Sequence, residues 1–367
     1  MSPESATTSR EQRVLQIIET ARSKAPRFRD QQVTLAHGAG GKATRTLIEG
    51  LLVPAFAPPD GGSLAALADA GTIAVDSMRL AMTTDSFVVK PLRFPGGSIG
   101  ELAVNGTVND LSVSGARPHA LTVSLILEEG LAAETLKAEV EAIAQAARGA
   151  GVEVVAGDTK VVERGAADGM YICTTGIGLI DGRAQLAPDR LSAGDRILVS
   201  GPVGEHGTAI MLARNEFDLD ADVESDTRPL WPAVDELLDA AGHDLHCLRD
   251  ATRGGVSSVL NELARASRVS AVVREADVPV SPVVHAAAEL LGIDPMYVAN
   301  EGKLVACVAP EASERALAAL RKVPGCEDAA EIGEVRSEPP GMVLVQTGFG
   351  GRRVMDELVG DPLPRIC

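Results

Sequence analysis

The chain ends in Pro364-Arg365-Ile366-Cys367, and a thiol on its last residue is a group able to form and break covalent bonds at a movable position. The segment GDPLPRIC holds two prolines and no helical or strand period, so it builds no secondary structure and is expected to be mobile unless docked. A cysteine on such an end can travel. Prenylation is excluded, because that chemistry needs the cysteine fourth from the end. Arg365 favours the thiolate while the adjacent terminal carboxylate opposes it. The other four cysteines, Cys173, Cys247, Cys307 and Cys326, lie in apolar or helical stretches where a small buried hydrophobe is the usual role. An odd total without C-x-x-C spacing fits neither a disulfide framework nor a zinc knuckle.

A second group is acidic. Asp76, Asp85 in TTDSF, Asp110 in NGTVND, Asp158 in AGDTK and Asp250 in RDATRGG stand at strand ends or near glycines. Singly, such residues serve as caps and turn formers. If several converge, each close like-charge pair costs about 4 kcal/mol at an effective dielectric of about 20, so the cluster needs cations. Hard oxygen ligands then point to Mg²⁺ shared with nucleotide phosphates. Three glycine-rich turns could present backbone N–H groups to phosphate: His37-Gly38-Ala39-Gly40-Gly41-Lys42, Ser200-Gly201-Pro202-Val203-Gly204 and Thr252-Arg253-Gly254-Gly255. Neither a Walker nor a Rossmann spacing is present, which disfavours the common nucleotide folds. The third turn directly precedes a helix, and reads equally as an anion site or a tight turn. Lys160 follows Gly157-Asp158-Thr159, and Glu301 lies in the apolar stretch YVANEGKLVACVA. Charges at turns are usually solvated, but apolar flanks can desolvate an acid or amine and shift its pKa toward proton-transfer use.

Composition narrows the partners. Lys and Arg total 34 against 51 Asp and Glu, a net charge of −17, so the surface field repels nucleic acid and anionic membranes. No apolar run reaches the roughly 20 residues of a membrane span, and MSPESATTSREQR lacks a signal-peptide core; a cytoplasmic location is expected.

The elements that must position these residues alternate along two halves. With 367 residues, two domains of α+β type are expected. We read residues 1–32 as an extension, 33–187 and 188–355 as the two domains, and 356–367 as the tail. In the first half IAVDSM and RLAMTTDSFVV read as neighbouring strands, GELAVNGTVNDLSVSG as a small-residue helix and ALTVSLILEEG as a strand. An amphipathic helix over LAAETLKAEVEAIAQAARGAG, stopped by Gly149 and Gly151, leads into VEVVAG, read as a buried strand. The second half opens with ILVSGPVGEHG and continues through LRDATRGGVSSVLNELARAS and AVVREADVPV, again strand and helix by turns.

In order, HGAGGKAT, TTDSFVV, PGGSIGELAVNGTVNDLSVSGARP, GDTKVV, VSGPVGEHG, LRDATRGGV, YVANEGKLV and the terminal PRIC resemble the HypE family, the carbamoyl dehydratases of nickel–iron hydrogenase maturation. The resemblance covers nearly everything from Val33 to Cys367. It implies the superfamily of aminoimidazole ribonucleotide synthetase, selenophosphate synthetase and thiamine-monophosphate kinase: an N-terminal α/β domain forming a β-barrel across a homodimer, and a C-terminal α+β domain. It further implies ATP binding through Gly40, Gly41, Lys42, Asn105 and Asn109, and through Thr252, Arg253, Gly254 and Gly255. Mg²⁺ falls to Asp85, Asp110, Asp158 and Asp250. The implied reaction dehydrates a carbamoyl group on Cys367, received from the carbamoyltransferase HypF, to S-cyanate, whose cyanide passes to iron on the HypC–HypD complex. Glu301 is expected as proton acceptor, and Lys160 either as a stabiliser of developing oxyanion or phosphate charge or as a sharer of the proton traffic. His206 is left between a loop hydrogen-bonder and a nucleotide contact. The rivals are a small-molecule kinase or synthetase of the same superfamily, with a dispensable tail, and a non-catalytic scaffold that binds a metal or partner through Cys367.

Overall fold

The computed structural model describes residues 27–57, 64, 67–214, 222–358 and 366–367. Most of the N-terminal extension and residues 359–365 of the tail lie outside them.

The first sheet is built from β1 (Gly71–Val75), β2 (Met78–Phe87), β5 (Ala116–Glu128), β6 (Glu153–Val162) and β7 (Met170–Ile180), in the order β1-β2-β7-β5-β6. Only the β5–β6 pair is parallel. Asp76 makes the tight turn between β1 and β2 with a left-handed φ of 52°, the turn-forming reading of that aspartate. A two-stranded hairpin, β3 (Arg93–Phe94) and β4 (Gly97–Ser98), precedes the helix α2 (Ile99–Val113); α1 (Lys42–Leu47) lies earlier in the chain. Small residues let α2 pack on every side, and it buries all but two of its fifteen residues. One side rests on β2, β5 and β7; another meets the second half of the molecule. Helix α3 (Ala133–Ala150) packs beside α2 and ends at Gly151, whose φ of 69° supplies the left-handed cap. Gly149 is therefore inside the helix.

VEVVAG is exposed, contrary to the sequence reading. It belongs to β6, an edge strand whose residues are nearly all open, since no further strand among the described residues pairs with its outer edge. Elsewhere on the same sheet, Ile73, Val75, Met78, Met82 and Leu179 form an uncovered apolar surface on the face turned away from the helices.

The second sheet comprises β8 (Arg196–Val199), β9 (Leu245–Asp250), β10 (Ser270–Arg274), β11 (Leu304–Val308), β12 (Ala330–Arg336), β13 (Met342–Gln346) and β14 (Arg352–Val354). Their order is β14-β13-β10-β12-β8-β11-β9, with β10 and β13 parallel. Helices interleave in sequence: α4 (Glu205–Ala213), α5 (Trp231–Ala241), α6 (Gly255–Ala266), α7 (Pro282–Leu291) and α8 (Ser313–Leu320). Helix α6 packs through Val259, Leu260 and Leu263 on one sheet face, where Ile197, Val305 and Cys307 lie. Helices α5 and α8 cover the other through Val234, Leu237 and Leu320. Strands buried on both faces read as continuous apolar runs, as LVACV does in β11.

Candidate active site

A cleft of about 810 Å³ opens where the two sheets' elements converge, and its walls carry most of the chemistry-bearing residues. Strand β2 contributes Thr83 and Asp85, α2 contributes Gly106 and Asp110, and β9 ends at Asp250. The turn into α6 adds Thr252 and Arg253; Glu301 and Cys367 complete the set.

Asp110, Asp250 and Asp69 bring carboxylate oxygens within 4.8 Å of one another. Asp110 is pushed well above the ordinary carboxylate range by burial, and then by the charges of Asp250, Asp69 and Asp85. Thr83 donates a 2.7 Å hydrogen bond that partly offsets this. Burial, followed by Asp69, raises Asp250 to about 8. Asp85 is raised by burial as well, against the attraction of Arg253. Three hard oxygen donors that resist ionising together fit a divalent cation, whose charge would remove the repulsion. Asp69 was missed in the sequence, where ALADAG reads as an ordinary turn; its role comes from the segment ahead of β1 folding over Arg249, with which it pairs.

Asp158 and Lys160 are not brought to this cleft. They stand on the exposed strand β6, paired to each other at 2.9 Å. Their β5 partners are Ser124 and Ile126, so by strand alternation they share the sheet face turned away from α2 and α3.

The glycine turns divide in a similar way. Gly40 and Gly41 line the cleft. A Cβ on Gly40 would meet the Arg253 carbonyl oxygen at 2.8 Å, and one on Gly41 the Leu358 carbonyl oxygen at 2.3 Å, so both are needed for close backbone approach. Lys42 is outside the lining, its ammonium 2.7 Å from Asp356. Gly254 and Gly255 shape the start of α6 with φ of 78° and 59° but do not line the cleft. Asn105 is buried against Thr227. Asn109 acts as a tie between the two halves: it donates to the carbonyls of Arg228 and Glu301, both at 3.0 Å, and accepts from the Leu230 N–H at 2.8 Å. Both of its amide N–H donors are thus committed to main chain.

Glu301 is 3% exposed, and its Oε1 has no hydrogen-bond partner among the described residues. Burial holds its pKa well above the usual carboxylate range, with Asp250, Asp85 and Asp226 adding to the effect. A buried carboxyl with an unfilled oxygen facing a cleft is suited to take and return a proton near neutral pH.

The terminal dipeptide is docked. Ile366 is buried in the apolar cluster that contains Phe87, Val89 and Ile210, and Cys367 packs against it while lining the cleft. A terminal carboxylate oxygen of Cys367 accepts from the Val88 N–H at 3.1 Å, and the Ile366 carbonyl accepts from His206 at 2.6 Å. The Arg253 guanidinium is raised further above its ordinary value, first by the negative charge of Cys367, with Asp85 and Glu301 adding.

This fold and site define a two-domain α+β protein of the AIR synthase related class. The N-terminal domain of AIR synthase related proteins matches residues 67–180 and their C-terminal domain residues 192–345. The carbamoyl dehydratase HypE of Bradyrhizobium diazoefficiens is 46% identical over 340 residues, covering 93% of this chain and 97% of that one. The crystal structure of a HypE–HypF complex is similar with a TM-score of 0.80 and 42% identity, over 85% of this chain and 99% of that one. HypE crystallised in complex with ATP is similar with a TM-score of 0.76 and 45% identity, over 92% of this chain and the whole of that one. The chain belongs to the carbamoyl dehydratase HypE family.

Proposed function

We infer that this chain dehydrates a carbamoyl group carried on its own Cys367, using ATP, and so supplies cyanide for the iron centre of a nickel–iron hydrogenase. The observation that carries the reading is Cys367 seated in the cleft lined by Asp110, Asp250, Arg253 and Glu301. An amide oxygen is a poor leaving group. Transfer of the ATP γ-phosphoryl to that oxygen releases ADP and turns the oxygen's later departure into loss of phosphate. The nitrogen sheds its two protons as the carbon–nitrogen triple bond forms. Thiocarbamate and ATP thus give S-cyanate, ADP and phosphate, with one proton released to solvent.

Within this scheme Glu301 accepts a nitrogen proton, for which its buried, unpartnered oxygen supports it. Arg253 stabilises charge on the transferring phosphoryl group or the thiocarbamate. Asp69, Asp110 and Asp250, with Asp85 beside them, would hold Mg²⁺, which supplies positive charge against the nucleotide phosphates. Gly40, Gly41 and Thr252 remain candidates for phosphate contact. Lys42, Asn105, Asn109, Gly254 and Gly255 are better supported as framework, given their contacts.

A homodimer is supported by the exposed apolar side chains on the open face of the first sheet, among them Ile73 at 44% and Met78 at 48% exposure. A second copy meeting that surface would close the sheet into a barrel and could bring its own Asp158 and Lys160 to the cleft. HypF as carbamoyl donor and HypC–HypD as cyanide acceptor complete the proposed cycle. Among the described residues no helix is long and apolar enough to cross a membrane.

The test is the mass of the tail peptide after carbamoylation by HypF and incubation with Mg-ATP. Loss of one water, with ADP and phosphate released, is expected. An unchanged mass in the presence of ATP sinks the reading. Cys367→Ala should abolish the ATP turnover that depends on carbamoylation while ATP still binds.

A further inference from the structure

His206 is among the most enclosed polar residues of the molecule, and both its ring nitrogens are used. It lies in the first turn of α4, with the edge of Phe94 packed against its ring at 5.6 Å between centroids. The Ile366 carbonyl can only accept, so Nε2 must carry the proton and donate across 2.6 Å. Nδ1 is then an acceptor, and Ser225 Oγ–H donates to it across 2.7 Å. The Ser225 oxygen in turn accepts from the Thr227 N–H at 3.2 Å, so the hydroxyl's orientation and the imidazole tautomer are set together. Burial keeps the ring neutral, against the pull of Asp226 and of the Ile366 hydrogen bond.

We propose that His206, oriented by Ser225, is the positioning residue that latches the terminal dipeptide in the cleft through the main-chain carbonyl of Ile366. The latch has two further points of hold: Val88 N–H on the Cys367 oxygen, and the apolar slot that takes the Ile366 side chain. With the Ile366 carbonyl and the terminal carboxylate both held, the Cys367 sulfur is kept in the cleft whose walls include Glu301 and Arg253. Because main chain is gripped, the hold does not depend on what the sulfur carries. The fraction of tails docked scales the rate of any step done in the cleft. This inference rests on Cys367 being the carrier, but its test needs neither carbamoyl group nor ATP.

The experiment measures the rate at which N-ethylmaleimide labels Cys367 in the full chain carrying Cys173→Ser, the remaining three cysteines being buried. His206→Leu, which keeps the volume and removes the donor, is expected to label about tenfold faster. His206→Gln, whose amide nitrogen can replace Nε2 as donor, should return labelling to within about twofold of the parent. Ser225→Ala should accelerate labelling by about threefold, and provides the measurement should His206→Leu fail to fold. Parental labelling rates in His206→Leu, or in Ser225→Ala if that is the variant that folds, overturn the proposal. So does equal acceleration by Leu and Gln, which would mark His206 as mere packing. On carbamoylated protein the single-turnover dehydration rate should fall in the same order. Absence of dehydration even in the parent would instead sink the carrier reading and leave the latch standing.

Discussion

Glu301 combines enclosure, an unfilled carboxylate oxygen and a place on the wall of the cleft that Cys367 enters. Removing its proton-accepting ability while keeping its shape separates chemistry from binding. Glu301→Gln is expected to slow single-turnover water loss from the carbamoylated tail by at least about a hundredfold. ATP affinity, measured by calorimetry, should change little, since glutamine keeps the side chain's shape and Glu301 is assigned a proton-transfer role rather than a phosphate contact. Asp250 makes a different prediction, because its pKa rises from 3.8 in the unfolded chain to about 8 in the fold. A carboxyl raised on folding favours the folded state only while protonated, so its contribution is complete below about pH 4 and is lost as pH rises through 8. The metal-free protein should therefore show a melting temperature that falls as pH rises from about 4 to about 8. Asp250→Asn should flatten that slope, and Mg²⁺ should restore stability at the alkaline end. A slope unaffected by either would separate the cluster from cation binding.

At the scale of elements, α2 does most to build the site. It carries Asp110 into the cleft, and Asn109 beside it binds main chain on both the Arg228 and Glu301 segments. Residue Glu301 is thus held partly by a helix from the other half of the molecule. Helix α6 contributes through its approach: Gly254 and Gly255 adopt left-handed φ so that Thr252 and Arg253 face the cleft. Strand β6 is the contrasting case, an edge whose polar pair Asp158 and Lys160 looks away from the chain's own cleft.

That edge governs the expectation for the whole molecule. An uncovered sheet face with exposed Ile73, Met78 and Met82 fits the proposed meeting with a second copy, whose identical surface matches it in character. If Lys160 serves the cleft of the other copy, two inactive variants should rescue each other. Co-expressed Lys160→Ala and Glu301→Gln should recover about a quarter of parental turnover, since half the dimers are mixed and each mixed dimer holds one complete site. No recovery in demonstrably mixed dimers would place Lys160 outside the partner's site.

Local patterns made much of this legible from residues alone. Alternation, caps and turn residues located the strands around TTDSF, the small-residue helix and the strand–turn–helix at RDATRGG, because these depend on near neighbours in the chain. The terminal Cys367, Glu301, Asp110 and Asp250 could be singled out for the same reason: each has an unusual immediate context. Long-range geometry was out of reach. Which aspartates converge, that Asp69 joins Asp110 and Asp250, that VEVVAG lies exposed at an edge, and that Asn109 ties two segments together all depend on elements far apart in sequence. His206 shows the limit most clearly, since GPVGEHG leaves two roles open and only folding sets its Nε2 against the carbonyl of Ile366, 160 residues away. The chain's order of residue types determined the chemistry available, and the packing of two sheets around α2 decided which of those groups share one cleft.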